Sequence, residues 1–147
     1  MISGFNNLSL IDYPGQMASV VFIGQCNFRC PFCHNRSLVL SPDKTKVFHE
    51  YEIIDKIKAS TTFVEAVVIS GGEPTKWRGL EHFVRLLNEL ELKIKLDTNG
   101  SYPEVLEALI ANNLINYVAM DIKSSYEHYQ KATGVNIDTC ILEKSIN

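Results

Sequence analysis

Three of the chain's four cysteines fall within eight residues of "QCNFRCPFCHN": Cys26, Cys30 and Cys33. Thiolates gathered this closely suit ligation of a metal or cluster, or thiol redox chemistry. On a helix the spacing i, i+4, i+7 would make one stripe, and three buried thiols on an apolar face are the plain alternative. Pro31 speaks against a helix because it pushes the residue before it out of helical geometry, and Gly24 and Asn27 also favour a loop. A compact loop can aim three sulfurs at one object, either zinc or an iron–sulfur cluster. Structural zinc takes four protein ligands, and ordinary [4Fe–4S] electron carriers use four cysteines. The candidates for a fourth are His34, awkwardly adjacent to Cys33, and the distant Cys140, which otherwise reads as a buried or free thiol. Three cysteines with no obvious fourth leave one metal position open, as catalytic sites do.

The elements that must hold this loop are readable as alternating strands and helices. "ASVVFI" (18–23), "EAVVIS" (65–70), "LKIKLD" (92–97) and "YVAMDI" (117–122) are Val- and Ile-rich strand candidates. Ile53, Ile54 and Ile57 mark one helix, and Leu80, Phe83, Val84, Leu87 and Leu90 a second, at helical spacing. Two capping boxes predict further helices: Ser101 with Glu104, Pro103 lying in the first turn, and Ser124 with Glu127, ending at Gly134. Alternation of this kind means βα units and a parallel sheet. A chain of 147 residues makes one domain, 1–147, whereas a closed eight-stranded barrel usually needs about 200 or more. The expected fold is therefore α/β: a partial, open parallel β/α barrel of about four βα units, short at its C-terminal end. The last segment, "IDTCILEKSIN", starts like a helix and has no stop signal, so its final element is expected to lean on something absent.

Ligands of parallel α/β sheets sit at the carboxyl ends of the strands. There the first strand runs into the cysteine loop, the second into Gly71, Gly72, Glu73 and Pro74, the third into Asp97, Thr98, Asn99 and Gly100, and the fourth into Asp121 and Lys123. Each has a bland reading. "GGEP" can be a tight turn, "DTNG" a turn or helix cap, and Asp121 with Lys123 a structural ion pair on one strand face. Four such ends on one rim argue for a site more strongly than any alone.

Composition narrows the partners. A net charge of −3 gives no basic footprint for nucleic acid; Lys44 with Lys46 and Lys93 with Lys95 read as solvated faces. The N-terminus lacks the basic and apolar regions of a signal peptide, and no apolar run reaches membrane-spanning length. The expected setting is cytoplasmic, where clustered cysteines bind metal or do redox work more often than they form disulfides. His49, His82 and His128 have no ligand spacing and read as surface residues, and Trp77 as packing at a helix entrance.

The motifs together resemble a known family. "CNFRCPFC" is similar to the CxxxCxxC signature of radical S-adenosylmethionine (SAM) enzymes, with Phe32 in the aromatic place before the last cysteine. "SLIDYPG", "CHN", "ISGGEPT", "KLDTNG" and "YVAMDIK" extend the likeness to glycyl-radical-enzyme activases, above all those serving anaerobic ribonucleoside-triphosphate reductase. The resemblance implies that Cys26, Cys30 and Cys33 hold a [4Fe–4S] cluster whose fourth iron is chelated by SAM. One electron would cleave SAM to methionine and a 5′-deoxyadenosyl radical, which takes hydrogen from a backbone glycine of a partner enzyme. It also implies that Gly71 and Gly72 admit the methionine part of the ligand and that Glu73 faces its ammonium. Asp97, Thr98 and Asn99 would surround the ligand, in some activases with a monovalent cation beside its carboxylate. Lys123 would neutralise that carboxylate, and Asp121 would help set the cation or ribose. Asp12 would border the mouth where the partner's glycine loop enters. Flavodoxin or ferredoxin is the implied electron donor. Two alternatives remain: radical chemistry on another glycyl-radical partner or a small molecule, and a non-catalytic iron–sulfur or zinc module.

Overall fold

The computed structural model describes residues 1–41 and 45–147; Lys44 lies outside the described residues. The first strand, β1 (Ile2–Ser9), folds back antiparallel onto β2 (Ala18–Ile23). Sequence periodicity predicts no element at 2–9, because only Ile2, Ser3 and Ser9 of this stretch are buried and no clean alternation survives. Three parallel strands follow in spatial order, β3 (Ala66–Gly71), β4 (Lys93–Thr98) and β5 (Tyr117–Met120), giving a five-stranded sheet ordered β1-β2-β3-β4-β5. Chain order equals spatial order, so each crossover advances by one strand. Among the described residues the far edge of β5 pairs with nothing, and the barrel stays open.

The strand between each pair of helices turns alternate residues to opposite faces. Val21, Ile69, Leu96 and Val118 lie in one row across β2 to β5. They pack against α2 (Glu50–Lys58), α3 (Leu80–Asn88) and α4 (Pro103–Ala111), whose Ile53, Ile57, Phe83, Leu87 and Leu109 are buried with them. Each such fully buried side chain stabilises the fold by roughly 1.5–3 kcal/mol. Ala18, Val20, Ala66 and Val68 face the opposite side, the bore, where Tyr13 packs against them. Trp77 packs on Phe83 with ring centroids 5.7 Å apart, at the entrance to α3 as expected.

Several local expectations need correction. The N-cap of α4 is Tyr102, without a side-chain cap; the Ser101 hydroxyl instead donates to Asn99 Oδ1 at 2.6 Å. Ser124 caps nothing either. The chain enters a 3₁₀ turn at Tyr126–His128, then α5 (Tyr129–Thr133), which does stop at Gly134 in left-handed geometry, φ 70°. Strand β5 ends at Met120, so Asp121 and Lys123 sit in the following loop. The last helix, α6 (Cys140–Ile146), leans on the molecule itself: Leu142 is buried with Phe28, Tyr129 and the cysteine loop. A short helix α1 (Arg36–Leu40), absent from the periodicity, follows that loop and adds Val39 to the same cluster. Among the described residues no helix is long and apolar enough to cross a membrane.

Candidate active site

The cysteine loop leaves β2 through Gly24, whose N–H donates to Met1 O at 3.0 Å, and Gln25, whose φ of 69° is left-handed. It is then tied down along its length. The Arg29 N–H donates to Thr133 O at 2.7 Å, while Arg29 Nη1 reaches back to Cys26 O at 2.8 Å and Phe28 O at 2.7 Å. Phe28 packs edge-on against Tyr129, centroids 6.2 Å apart. Cys33 N–H donates to Cys30 O at 3.2 Å, closing the turn made by Pro31 and Phe32. Cys26 and Cys30 are buried, Cys33 is half-buried, and all three thiols are free.

All three line one cavity of about 620 Å³ at the carboxyl ends of the parallel strands. That volume suits a nucleotide-sized ligand. Phe32, Gly71, Gly72, Asp97, Thr98, Asn99, Asp121 and Lys123 line it too. Cys140 does not; it is exposed on α6. His34 also lines the cavity, and the other three histidines are exposed. No three His, Cys, Asp or Glu side chains among the described residues close on a single metal ion. The three thiols instead flank a space larger than an ion.

Two expected residues lie outside this wall. Asp12 sits in the turn joining β1 to β2, at the amino ends of the parallel strands and the opposite rim from the cysteines. It accepts a 2.5 Å hydrogen bond from Ser9 Oγ and does not share the cavity wall with the other expected residues. Glu73 is fully buried behind the cavity. Its Oε1 accepts from Thr98 Oγ1 at 2.7 Å and Thr75 N at 3.0 Å, with Thr75 Oγ1 as a further donor, and its Oε2 accepts from Asn99 N at 2.7 Å. Burial pushes its carboxyl up from the ordinary value, and these donors pull back. In this structure Glu73 fastens the turn after β3 to the turn after β4, and so positions Thr98 and Asn99.

The glycines have a steric reason. Gly71 has φ 116°, and a Cβ there would lie 2.4 Å from Ile23 O; a Cβ on Gly72 would lie 1.8 Å from Gln25 O. Both let the turn after β3 pack against the start of the cysteine loop, with Gly72 N donating to Ile23 O at 2.8 Å and Glu73 N to Gln25 O at 2.9 Å. Asn35, the last residue of the "CHN" likeness but given no role there, adds a third tie by donating from Nδ2 to Gly71 O at 2.8 Å. Asn27 was also missed: its Oδ1 accepts from Asn99 Nδ2 at 2.9 Å and its Nδ2 donates to Ser101 Oγ at 2.8 Å. The cysteine loop and the rim after β4 are thus one hydrogen-bonded unit.

Charges inside the cavity come as pairs. Lys123 Nζ lies 2.8 Å from Asp121 Oδ2. Burial works against the Lys123 charge, but the Asp121 carboxylate more than restores it and holds the ammonium above its ordinary value. Lys95, expected on a solvated face, is buried in the cavity wall with Nζ 2.5 Å from Asp97 Oδ1. Strand alternation was the available signal, since residues 95 and 97 share a face. The thiols are perturbed as well. Burial pushes Cys26 up, partly offset by the Phe28 N–H that donates to its Sγ at 3.3 Å. Cys30 is also pushed up by burial, with the Lys123 charge pulling the other way.

Residues 20–144 match the Radical SAM superfamily. The chain belongs to it. A Methanocaldococcus jannaschii protein provisionally named as a glycyl-radical enzyme activating enzyme is 40% identical over 133 residues, 89% of this chain and 53% of its own length. The chain thus spans about half the length of that relative. The crystal structure of QueE from Escherichia coli superposes with a TM-score of 0.57 at 19% identity, covering 68% of this chain and 52% of that one. SuiB of Streptococcus suis bound to SAM gives 0.55 at 19% identity, covering 79% and 28%. These likenesses establish the open half-barrel fold.

Membership in the radical SAM superfamily implies a [4Fe–4S] cluster and SAM. The residues of this chain fit both. Three thiols face one cavity, and two N–H donors are already directed at Cys26 Sγ, the Phe28 amide at 3.3 Å and Asn99 Nδ2 at 3.9 Å. Such donors favour the thiolate that iron requires.

Proposed function

We propose that this chain is the cluster- and SAM-binding half-barrel of a glycyl-radical-enzyme activase, whose partner is anaerobic ribonucleoside-triphosphate reductase. The observation that carries the reading is the 40% identity to the similarly named M. jannaschii protein, on a chain whose three clustered cysteines face one nucleotide-sized cavity. Bound together, the cluster and SAM supply one-electron cleavage of the sulfonium and, through it, removal of a hydrogen atom from a backbone glycine.

The chain's own residues hold and orient. Cys26, Cys30 and Cys33 would hold the cluster with one iron left for SAM, and neither the exposed Cys140 nor His34 would be needed. Gly71, Gly72, Asp97, Thr98 and Asn99 line the space for the ligand's amino-acid end, and Lys123 offers its carboxylate a charge-assisted contact. Glu73 acts from behind by fixing Thr98 and Asn99. Phe32, 56% exposed at the cavity edge, covers the cluster side of the opening. Flavodoxin or ferredoxin delivers the electron in an anaerobic cytoplasm.

The test is anaerobic reconstitution with iron and sulfide, reduction with dithionite, and assay of 5′-deoxyadenosine, followed by mixing with the reductase and recording its glycyl radical by electron paramagnetic resonance. Both products are expected. Deoxyadenosine without a glycyl radical would move the substrate to another partner or a small molecule. Iron lost on Cys140→Ala or His34→Ala would replace the open-site reading with a non-catalytic module.

A further inference from the structure

Lys95 sits where a lysine is costly. In the row Val20, Val68, Lys95, Tyr117 its neighbours across the bore face are apolar or aromatic, and it is only 8% exposed. A buried ammonium must be paired to remain charged. Its partner is Asp97, two residues on along the same face, at 2.5 Å, and the ammonium also lies 6.0 Å from the Tyr117 ring centroid. Both members of the pair line the cavity. Replacing such a pair by two apolar side chains commonly leaves stability unchanged or higher, so packing alone does not explain it.

A ligand offers the explanation. A carboxylate such as Asp97, set in the wall of a cavity that admits an amino-acid ligand, repels the ligand's own carboxylate unless a positive charge stands between them. That charge is either a cation drawn from solution or one built into the chain. Here Oδ1 of Asp97 is already engaged by an ammonium from the same strand, so that oxygen is taken before the monovalent cation that the family resemblance implies could use it.

We propose that Lys95 is the fixed counter-ion of Asp97: a positioning residue that takes the place of a monovalent cation, so that this cavity binds SAM without sodium or potassium. The proposal rests on the SAM-binding reading of the cavity, and its test separates the two. SAM affinity is measured on the anaerobically reconstituted protein in sodium, potassium and tetramethylammonium chloride at equal ionic strength. Wild type is expected to bind equally in all three. Lys95→Met should lose about tenfold in tetramethylammonium, the loss of one charged contact, and regain most of it in sodium or potassium; Lys95→Arg should behave as wild type.

Direct binding of thallous ion, followed by ²⁰⁵Tl magnetic resonance without SAM, gives a second readout: Lys95→Met binds it and wild type does not. A wild type whose SAM affinity needs sodium or potassium, or which itself binds thallous ion, overturns the proposal without any variant having to fold. A Lys95→Met protein equal to wild type, or weakened with no rescue by cations, overturns it as well. If wild type binds no SAM in any salt, the functional reading fails, while the thallous experiment still decides the role of Lys95.

Discussion

Along β4, Ile94 and Leu96 turn toward the helices, while Lys93, Lys95 and Asp97 turn the other way. The first set joins a continuous apolar core with α2, α3 and α4. The second ends in an ion pair at the wall of the cavity. The same division holds across β2 and β3, where Val21, Ile23, Val67 and Ile69 face helices and Ala18, Val20, Ala66 and Val68 face the bore. The helix face is held by area removed from water, which is non-directional and tolerant of detail. The bore keeps a smaller apolar cluster under Tyr13, and the rim above it is held by specific hydrogen bonds and paired charges, in which each lost partner leaves another group unsatisfied. The larger apolar core thus lies on one face and the ligand chemistry on the other.

Substitutions can break this division, and the largest effect belongs to the cysteines. Changing Cys26, Cys30 or Cys33 to Ala should abolish cluster loading, read as iron and sulfide content after anaerobic reconstitution, while Cys140→Ala keeps wild-type iron. On the helix face, Phe83→Ala should cost about 3–5 kcal/mol of unfolding free energy by denaturant titration, the usual cost of a large core truncation. A loss below about 1 kcal/mol would erase the contrast.

Glu73→Gln probes the joint between the turns. All its partners are donors, so an amide must point its own N–H₂ at one of them. A loss of about 1–3 kcal/mol is expected, together with weaker SAM binding through displaced Thr98 and Asn99. A variant that loses binding but no stability would instead argue for direct contact between Glu73 and the ligand.

Smaller effects sharpen the picture. Burial raises the pKa of Cys26 and Cys30, so at neutral pH both are protonated and iron must displace the protons. Below those raised values the thiolate fraction grows about tenfold per pH unit, and iron loading at pH 8.5 should outpace loading at pH 7 by severalfold. A pH-independent rate would contradict buried, protonated thiols. Last, Lys95→Met combined with Asp97→Leu should leave unfolding free energy in a denaturant titration unchanged or higher, because that pair is there for the ligand.

Much of this was legible in the sequence, and the reasons follow the same division. Val and Ile runs bracketed by helical periodicity located β2 to β5 to within a residue or two at most ends, because apolar burial writes a period into the chain. The carboxyl-end rule then brings the cysteine loop, Gly71, Asp97 and Asp121 to one rim from the order of the strands alone. What failed had no period to read. β1 pairs through its backbone at an edge with few buried side chains. Ser101 and Ser124 match a capping pattern, but the Ser101 hydroxyl donates to its neighbour Asn99 and accepts from the distant Asn27 instead. Lys95 reads as solvated by residue type, whereas its alternation with Asp97 carried the signal.

The central claim is an iron position left vacant by the protein and filled by SAM. Electron–nuclear double resonance on the reduced cluster, with SAM labelled by ¹⁷O in its carboxylate and ¹⁵N in its amine, tests it most directly. Hyperfine coupling from both labels to a cluster ligated by Cys26, Cys30 and Cys33 is the predicted result. No coupling, with every iron ligated by protein or with only zinc bound, would contradict it.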